Sequence, residues 1–152
     1  MLQRLLILSI SWLFASPLWA IMCYFTLVKD NCWIKYNVSV DVMDAVTAKV
    51  LTTVTVPAGK PWARVTFPCE TNGQKLMYHA QFTPSIWESE KGKVYSAKNY
   101  WSLPNEVNAG DSAWNVSVCY PSDFSEVPLP PEASGTCKCD FSVIPDIPPK
   151  QL

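Results

Sequence analysis

The sequence is short of the residues from which most catalytic and metal-binding sites are built. Its single histidine is His79, and its five glycines stand at predicted turns rather than in a phosphate-binding loop. There is no Gly-x-Ser-x-Gly motif, and arginine occurs only as Arg4 and Arg64. The formal net charge is −1 and no basic run is present, so we do not expect nucleic acid as a partner.

The chain also lacks the 3.6-residue apolar repeat of an amphipathic helix. Apolar residues instead alternate with polar ones, which is the period of a half-buried β-strand. About seven such segments are spaced along the chain, and this spacing predicts an all-β fold, a small antiparallel β-sandwich. The predicted strands are residues 23–28, 33–43, 50–56, 62–67, 76–82, 94–103 and 113–120.

Turn-forming residues separate the predicted strands. The run Lys29-Asp30-Asn31 predicts a turn after the first strand, and residues 57–61 contain two prolines and a glycine. Asn72-Gly73 is the strongest hairpin signal in the chain, because both residues tolerate positive φ.

Residues 1–20 predict a secretory signal peptide. Arg4 provides the positive start, residues 5–15 are mostly apolar, and Ala20 is a small residue suited to cleavage. An uncleaved membrane anchor is the alternative, but the apolar run is shorter than a bilayer requires. We therefore expect an exported protein, periplasmic or extracellular, with no membrane span after signal cleavage.

Every cysteine follows the predicted signal peptide, which favours three disulfides over a zinc site. Cys137 and Cys139 are two residues apart and constrained from bonding each other, so we predict that they take different partners. The six cysteines are Cys23, Cys32, Cys69, Cys119, Cys137 and Cys139.

The C-terminal residues 121–152 are rich in proline, which interrupts strand hydrogen bonding. Two cysteines in this segment favour a strap tied back onto the sandwich over a free linker. We therefore divide the chain into a signal peptide (1–20), a β-sandwich domain (21–120) and a Pro-rich strap (121–152) packed on that domain.

Aromatic residues provide one candidate partner surface. Trp87, Tyr100 and Trp101 fall near irregular segments, where exposed rings can contact a protein or a carbohydrate. Core packing is the competing interpretation. Since neighbours on a regular strand face opposite sides, one member of the Tyr100-Trp101 pair is expected to face outward.

Met77 and His79 form a candidate copper site. They share one face of a predicted strand, and a thioether with an imidazole can hold copper. Met43 is a possible third ligand if the sheet brings it near. A secreted hydrolase that uses His79 is a further alternative, although the sequence assigns the histidine no acidic partner.

The sequence contains no recognisable catalytic motif, whereas its strand patterns and its even number of cysteines are clear. The sequence therefore favours an exported, disulfide-stabilised, non-enzymatic binding module without a cofactor, whose protein or carbohydrate partner is unknown. The alternatives are a periplasmic copper-binding or carrier protein and a secreted hydrolase.

Cleavage of the predicted signal peptide tests the prediction that the protein is exported. A chain expressed with its own leader should be exported and lose about twenty residues, as measured by mass spectrometry of the exported form. Recovery of Met1 to Ala20 on protein in the membrane fraction would contradict it.

Overall fold

The alternating segments form the strands of the structure, a computed structural model that describes residues 21–70, 72–111 and 113–146. The predicted signal peptide and residues 147–152 lie outside the described residues. The strands are β1 (Ile21–Lys29), β2 (Asn37–Asp44), β3 (Val50–Val56), β4 (Trp62–Cys69), β5 (Lys75–Thr83), β6 (Tyr95–Ser96), β7 (Trp101–Ser102) and β8 (Ala113–Tyr120).

Two sheets pack face to face, which confirms the predicted all-β sandwich. The first sheet has the order β4-β1-β8, and the second has the order β3-β2-β5-β6, with β7 also paired to β5. The sheets are antiparallel except at one place: β8 lies parallel to β1, from Met22 opposite Ala113 to Lys29 opposite Tyr120. The expectation of a wholly antiparallel sandwich is corrected there.

The predicted strand 33–43 starts later than expected, at Asn37. Trp33 instead lies in a turn, where its N–H donates to the carbonyl of Asp30 at 3.1 Å. This turn directs the indole into the core, fully buried and edge-on to Phe82 and Tyr120 at 4.7 and 5.0 Å. The large apolar area that the indole buries in the core stabilises this turn more than an extension of β2 to Trp33 would.

Two other local predictions are wrong in detail. The chain bends at Asn72 and Gly73 has a φ of +76°, but the chain crosses there from the first sheet to the second instead of forming a hairpin. The predicted strand 94–103 is broken into the short strands β6 and β7.

The six cysteines form three disulfides, as predicted. Cys23 pairs with Cys69, Cys32 with Cys137, and Cys119 with Cys139, so Cys137 and Cys139 take different partners. Three disulfides are typical of exported proteins. The described part of the chain contains no helix with the length and hydrophobicity to span a bilayer.

The C-terminal segment lies against the strands as far as it is described. Besides its two disulfides, Glu132 accepts the hydroxyl of Tyr36, and the Arg64 guanidinium donates to the carbonyl of Pro145 at 2.8 Å. These contacts tie the segment to the residues between β1 and β2, to β4 and to β8.

Lys29 ends β1 with a buried ammonium group. Its side chain is 2% exposed, and Nζ donates to the carbonyls of Ile34, Tyr36 and Pro57 at 3.1, 2.7 and 2.9 Å. Desolvation lowers the pKa of Lys29 to about 8. The predicted turn at Lys29 is therefore wrong in one respect: the residue is in the interior.

Replacing Lys29 should destabilise the fold, because three buried carbonyls would lose their donor. We expect Lys29→Met to lower the free energy of unfolding by roughly 3 kcal/mol in denaturant titrations with the disulfides intact. Lys49→Met, at an exposed site, is the control and should change it little. Equal effects of the two changes would contradict the assigned role of Lys29.

Lys29 should also make stability depend on pH. Its folded pKa of about 8 lies below its unfolded value near 10.5, so the unfolded chain holds the proton longer as pH rises. The free energy of unfolding should therefore increase between about pH 8 and 10.5 relative to Lys29→Met. A direct check is the NMR titration of the Lys29 Cε resonance, and a midpoint above about 10 would refute the prediction.

Candidate functional site

The neighbouring aromatics Tyr100 and Trp101 lie in different environments. Trp101 begins β7 opposite Leu76 and packs, partly buried, against the core. Tyr100 is 61% exposed, and the ammonium of Lys75 lies 5.4 Å from the centre of its ring. The member of the pair that faces outward is therefore Tyr100.

A cavity of about 190 Å³ opens between the two sheets beside this pair. We call it the inter-sheet cavity. Its walls are mostly apolar or aromatic with a few polar groups, which is the usual composition of a binding pocket. Its lining comes from β5, the connection between β6 and β7, β7 itself, β8 and a residue just after β8: Tyr78, Ala97, Asn99, Tyr100, Trp101, Val116, Val118 and Asp123.

Tyr78 contributes a buried hydroxyl to the wall of this cavity. The residue is 4% exposed, its ring lies 4.9 Å from that of Phe25, and its hydroxyl has no hydrogen-bond partner among the described residues. Burial raises the pKa of Tyr78, so the hydroxyl stays protonated at neutral pH. An unpaired buried hydroxyl is unfavourable, and a polar atom of a ligand or a water molecule in the cavity would relieve this cost.

One edge of β8 is free beside the cavity. The N–H of Asp30, directly after β1, donates to the carbonyl of Tyr120 at 2.9 Å, so the backbone groups of Tyr120 face β1. Those of the preceding residue, Cys119, therefore face away from β1, and its N–H donates to a carboxylate oxygen of Asp123 at 2.6 Å. Because the backbone groups of alternate residues point to the same side of a strand, those of Ala113, Asn115 and Ser117 point there too. They have no backbone partner within the described residues. These three residues define the free edge of β8.

The free edge and the inter-sheet cavity meet along one strand. Val116 and Val118 point from β8 into the cavity, while the side chains of Asn115 and Ser117 are exposed. An extended segment that pairs with this edge would therefore pass the mouth of the cavity.

A wider depression of about 700 Å³ lies at the end of the second sheet and shares Tyr100 with the inter-sheet cavity. It is lined by Asp44, which accepts the Gln74 amide at 2.9 Å and the N–H groups of Val46 and Thr47 at 2.8 Å. The Gln74 hydrogen bond, with these two, lowers the pKa of Asp44 to about 2. The carboxylate thus closes the turn after β2.

The predicted copper ligands lie on the solvent side of the second sheet. Met77 and His79 flank the buried Tyr78 on β5, and each is partly buried. On β2, Met43 is directly opposite Met77, and Asp41 is directly opposite His79. We call these four residues, Asp41, Met43, Met77 and His79, the outer face.

For the hydrolase alternative, the structure places two residues of suitable type beside His79, but they do not form a connected triad with it. Ser96 on β6 is opposite His79, so Asp41, His79 and Ser96 form a row across three strands. These are the residue types of a Ser-His-Asp triad. In the described chain, however, no hydrogen bond joins the three side chains, and Asp41 accepts the hydroxyl of Thr53 at 2.6 Å.

Trp87 is apart from the other two aromatics proposed for partner binding. It precedes a short 3₁₀ turn, Glu88–Glu90, is partly buried against the core, and lines neither cavity described above. The structure brings Tyr100 and Trp101 to one cavity and leaves Trp87 elsewhere.

Sequence reasoning missed Tyr78, Val116, Val118 and Asp123 as cavity residues. The alternation of apolar and polar residues predicts that Tyr78, Val116 and Val118 point into the sandwich. It does not predict which strand forms the edge of a sheet. Asp123, four residues after Cys119, was the available signal, because short polar side chains often cap nearby backbone groups.

Within the described residues, no group of three or more His, Cys, Asp or Glu side chains is placed to hold a metal ion. No protein-family model matches the chain, and no curated protein or solved structure is significantly similar to it.

Proposed function

We propose that the chain is an exported, non-enzymatic binding module that holds an extended segment of a partner protein along the free edge of β8. One apolar side chain of the partner enters the inter-sheet cavity. The observation that carries this proposal is the position of the cavity directly beside an unpaired strand edge.

The backbone of β8 provides the affinity in this arrangement. By strand alternation, Ala113, Asn115 and Ser117 each present an N–H and a C=O to an added strand. Each hydrogen bond made in water contributes about 1 kcal/mol net. Such pairing depends little on partner sequence, so the edge alone would bind extended segments without selectivity.

The cavity provides the selectivity. A volume of about 190 Å³ corresponds to roughly six water molecules or one large apolar side chain. Val116, Val118 and Trp101 would contact that side chain, and the Tyr78 hydroxyl favours a partner side chain with a polar end, such as tyrosine.

Composition favours an oxidising compartment for the chain. The three disulfides, together with the predicted signal peptide, favour a periplasmic or extracellular location. With a formal net charge of −1, the chain has no strong field for attracting a highly charged partner.

A peptide-display selection on the disulfide-intact protein tests the proposal. We expect it to recover extended sequences with one recurring large apolar or aromatic residue, with Kd values below about 100 μM. Ser117→Pro removes one outward N–H, and Val116→Phe fills the cavity, so each should weaken binding at least about tenfold.

Asn115→Ala is the matched control, because it changes an exposed side chain on the same edge and keeps the backbone. It should bind like the unmodified protein. Peptides bound equally well by Ser117→Pro and Val116→Phe would refute the edge site. Glycans bound through Tyr100 and lost in Tyr100→Ala would indicate the carbohydrate partner instead.

A further inference from the structure

We propose that the outer face holds a Cu(I) ion between Met43, Met77 and His79. This site lies on the solvent side of the second sheet. It involves none of the residues that line the inter-sheet cavity or the free edge of β8. The inference is thus independent of the proposed binding function.

Strand register brings the three ligands together. Met43 and Met77 are directly opposite each other on β2 and β5, and His79 is two residues from Met77 on the same side. Side chains directly opposite on an antiparallel pair have Cβ atoms about 5 Å apart, and diagonal ones about 7 Å. Long methionine side chains span these separations, so two sulfurs and an imidazole nitrogen can reach one ion.

The ligand types select copper in its reduced state. Thioether sulfur is a soft ligand that prefers Cu(I), and imidazole also binds copper. All six cysteines are in disulfides, so no free thiol competes for the ion. Besides Met43 and Met77, one methionine would remain after signal removal, Met22, which lies on β1 in the other sheet.

The surroundings of His79 also suit a metal ligand. Its imidazole has no hydrogen bond or ion pair with any described residue, so both ring nitrogens are available. Asp41 is directly opposite, with one carboxylate oxygen held by Thr53 at 2.6 Å. A carboxylate in this position can accept the N–H of a metal-bound imidazole and fix its orientation.

Partial burial shields the site from water on one side. Met43, Met77 and His79 are all partly buried, and Val50 on β3 is the cross-strand neighbour of Met43. An apolar border disfavours competing water ligands and harder cations.

The test is an anaerobic titration of the disulfide-intact protein with Cu(I) against a chromogenic chelator. We expect one equivalent to bind with a submicromolar Kd. In parallel, NMR of protein labelled at the methionine methyl groups should show the Met43 and Met77 signals shifting together, while the Met22 signal stays unchanged.

Variants of similar size separate the site from general affinity for copper. Met43→Leu, Met77→Leu and His79→Gln should each weaken Cu(I) binding at least about tenfold, and Met22→Leu should leave it unchanged. Far-ultraviolet circular dichroism confirms that each variant remains folded. A wild-type Kd above about 10 μM, or binding unaffected by the first three changes, would overturn the proposal.

Discussion

The ammonium group of Lys29 is the interaction on which the joining of the two sheets depends. Lys29 is the last residue of β1, the central strand of the first sheet. Its Nζ donates to the carbonyls of Ile34 and Tyr36, which precede β2 of the second sheet, and to that of Pro57, which follows β3. Burying this charge is unfavourable, and three carbonyl acceptors offset the cost. Cys32–Cys137 and Cys119–Cys139 lie at the same end, so the strong constraints are concentrated there.

Local sequence patterns predicted the bounds of a strand well where residue types alternate regularly between its two faces. Residues 50–56 and 113–120 were predicted with their observed bounds, because β-branched residues alternate with polar ones between clear turns. Trp33 and Lys29 were misplaced for one shared reason. Each side chain is directed by long-range contacts, an aromatic cluster for the first and three carbonyls for the second, which no local window contains.

The candidate sites were less predictable than the strands because each depends on which strands become neighbours. Met77 and His79 share a face by local alternation, but only the β2–β5 register places Met43 opposite Met77. Similarly, the aromatic pair indicated an outward Tyr100, whereas the cavity beside it also needs Val116 and Val118 from β8, a strand of the other sheet. Pairing is non-local information, and a single sequence does not provide it.

The parallel pairing of β1 with β8 makes the order of synthesis important. Polypeptides emerge N-terminus first, so β1, whose Phe25 and Leu27 are fully buried in the sandwich, is made long before its partner at 113–120. Until then an apolar strand has an open edge, which is prone to pairing with other chains. Cys32 likewise waits for Cys137, 105 residues away. The chain therefore completes its fold only after nearly all of it has emerged, and β1 needs protection from aggregation during that interval.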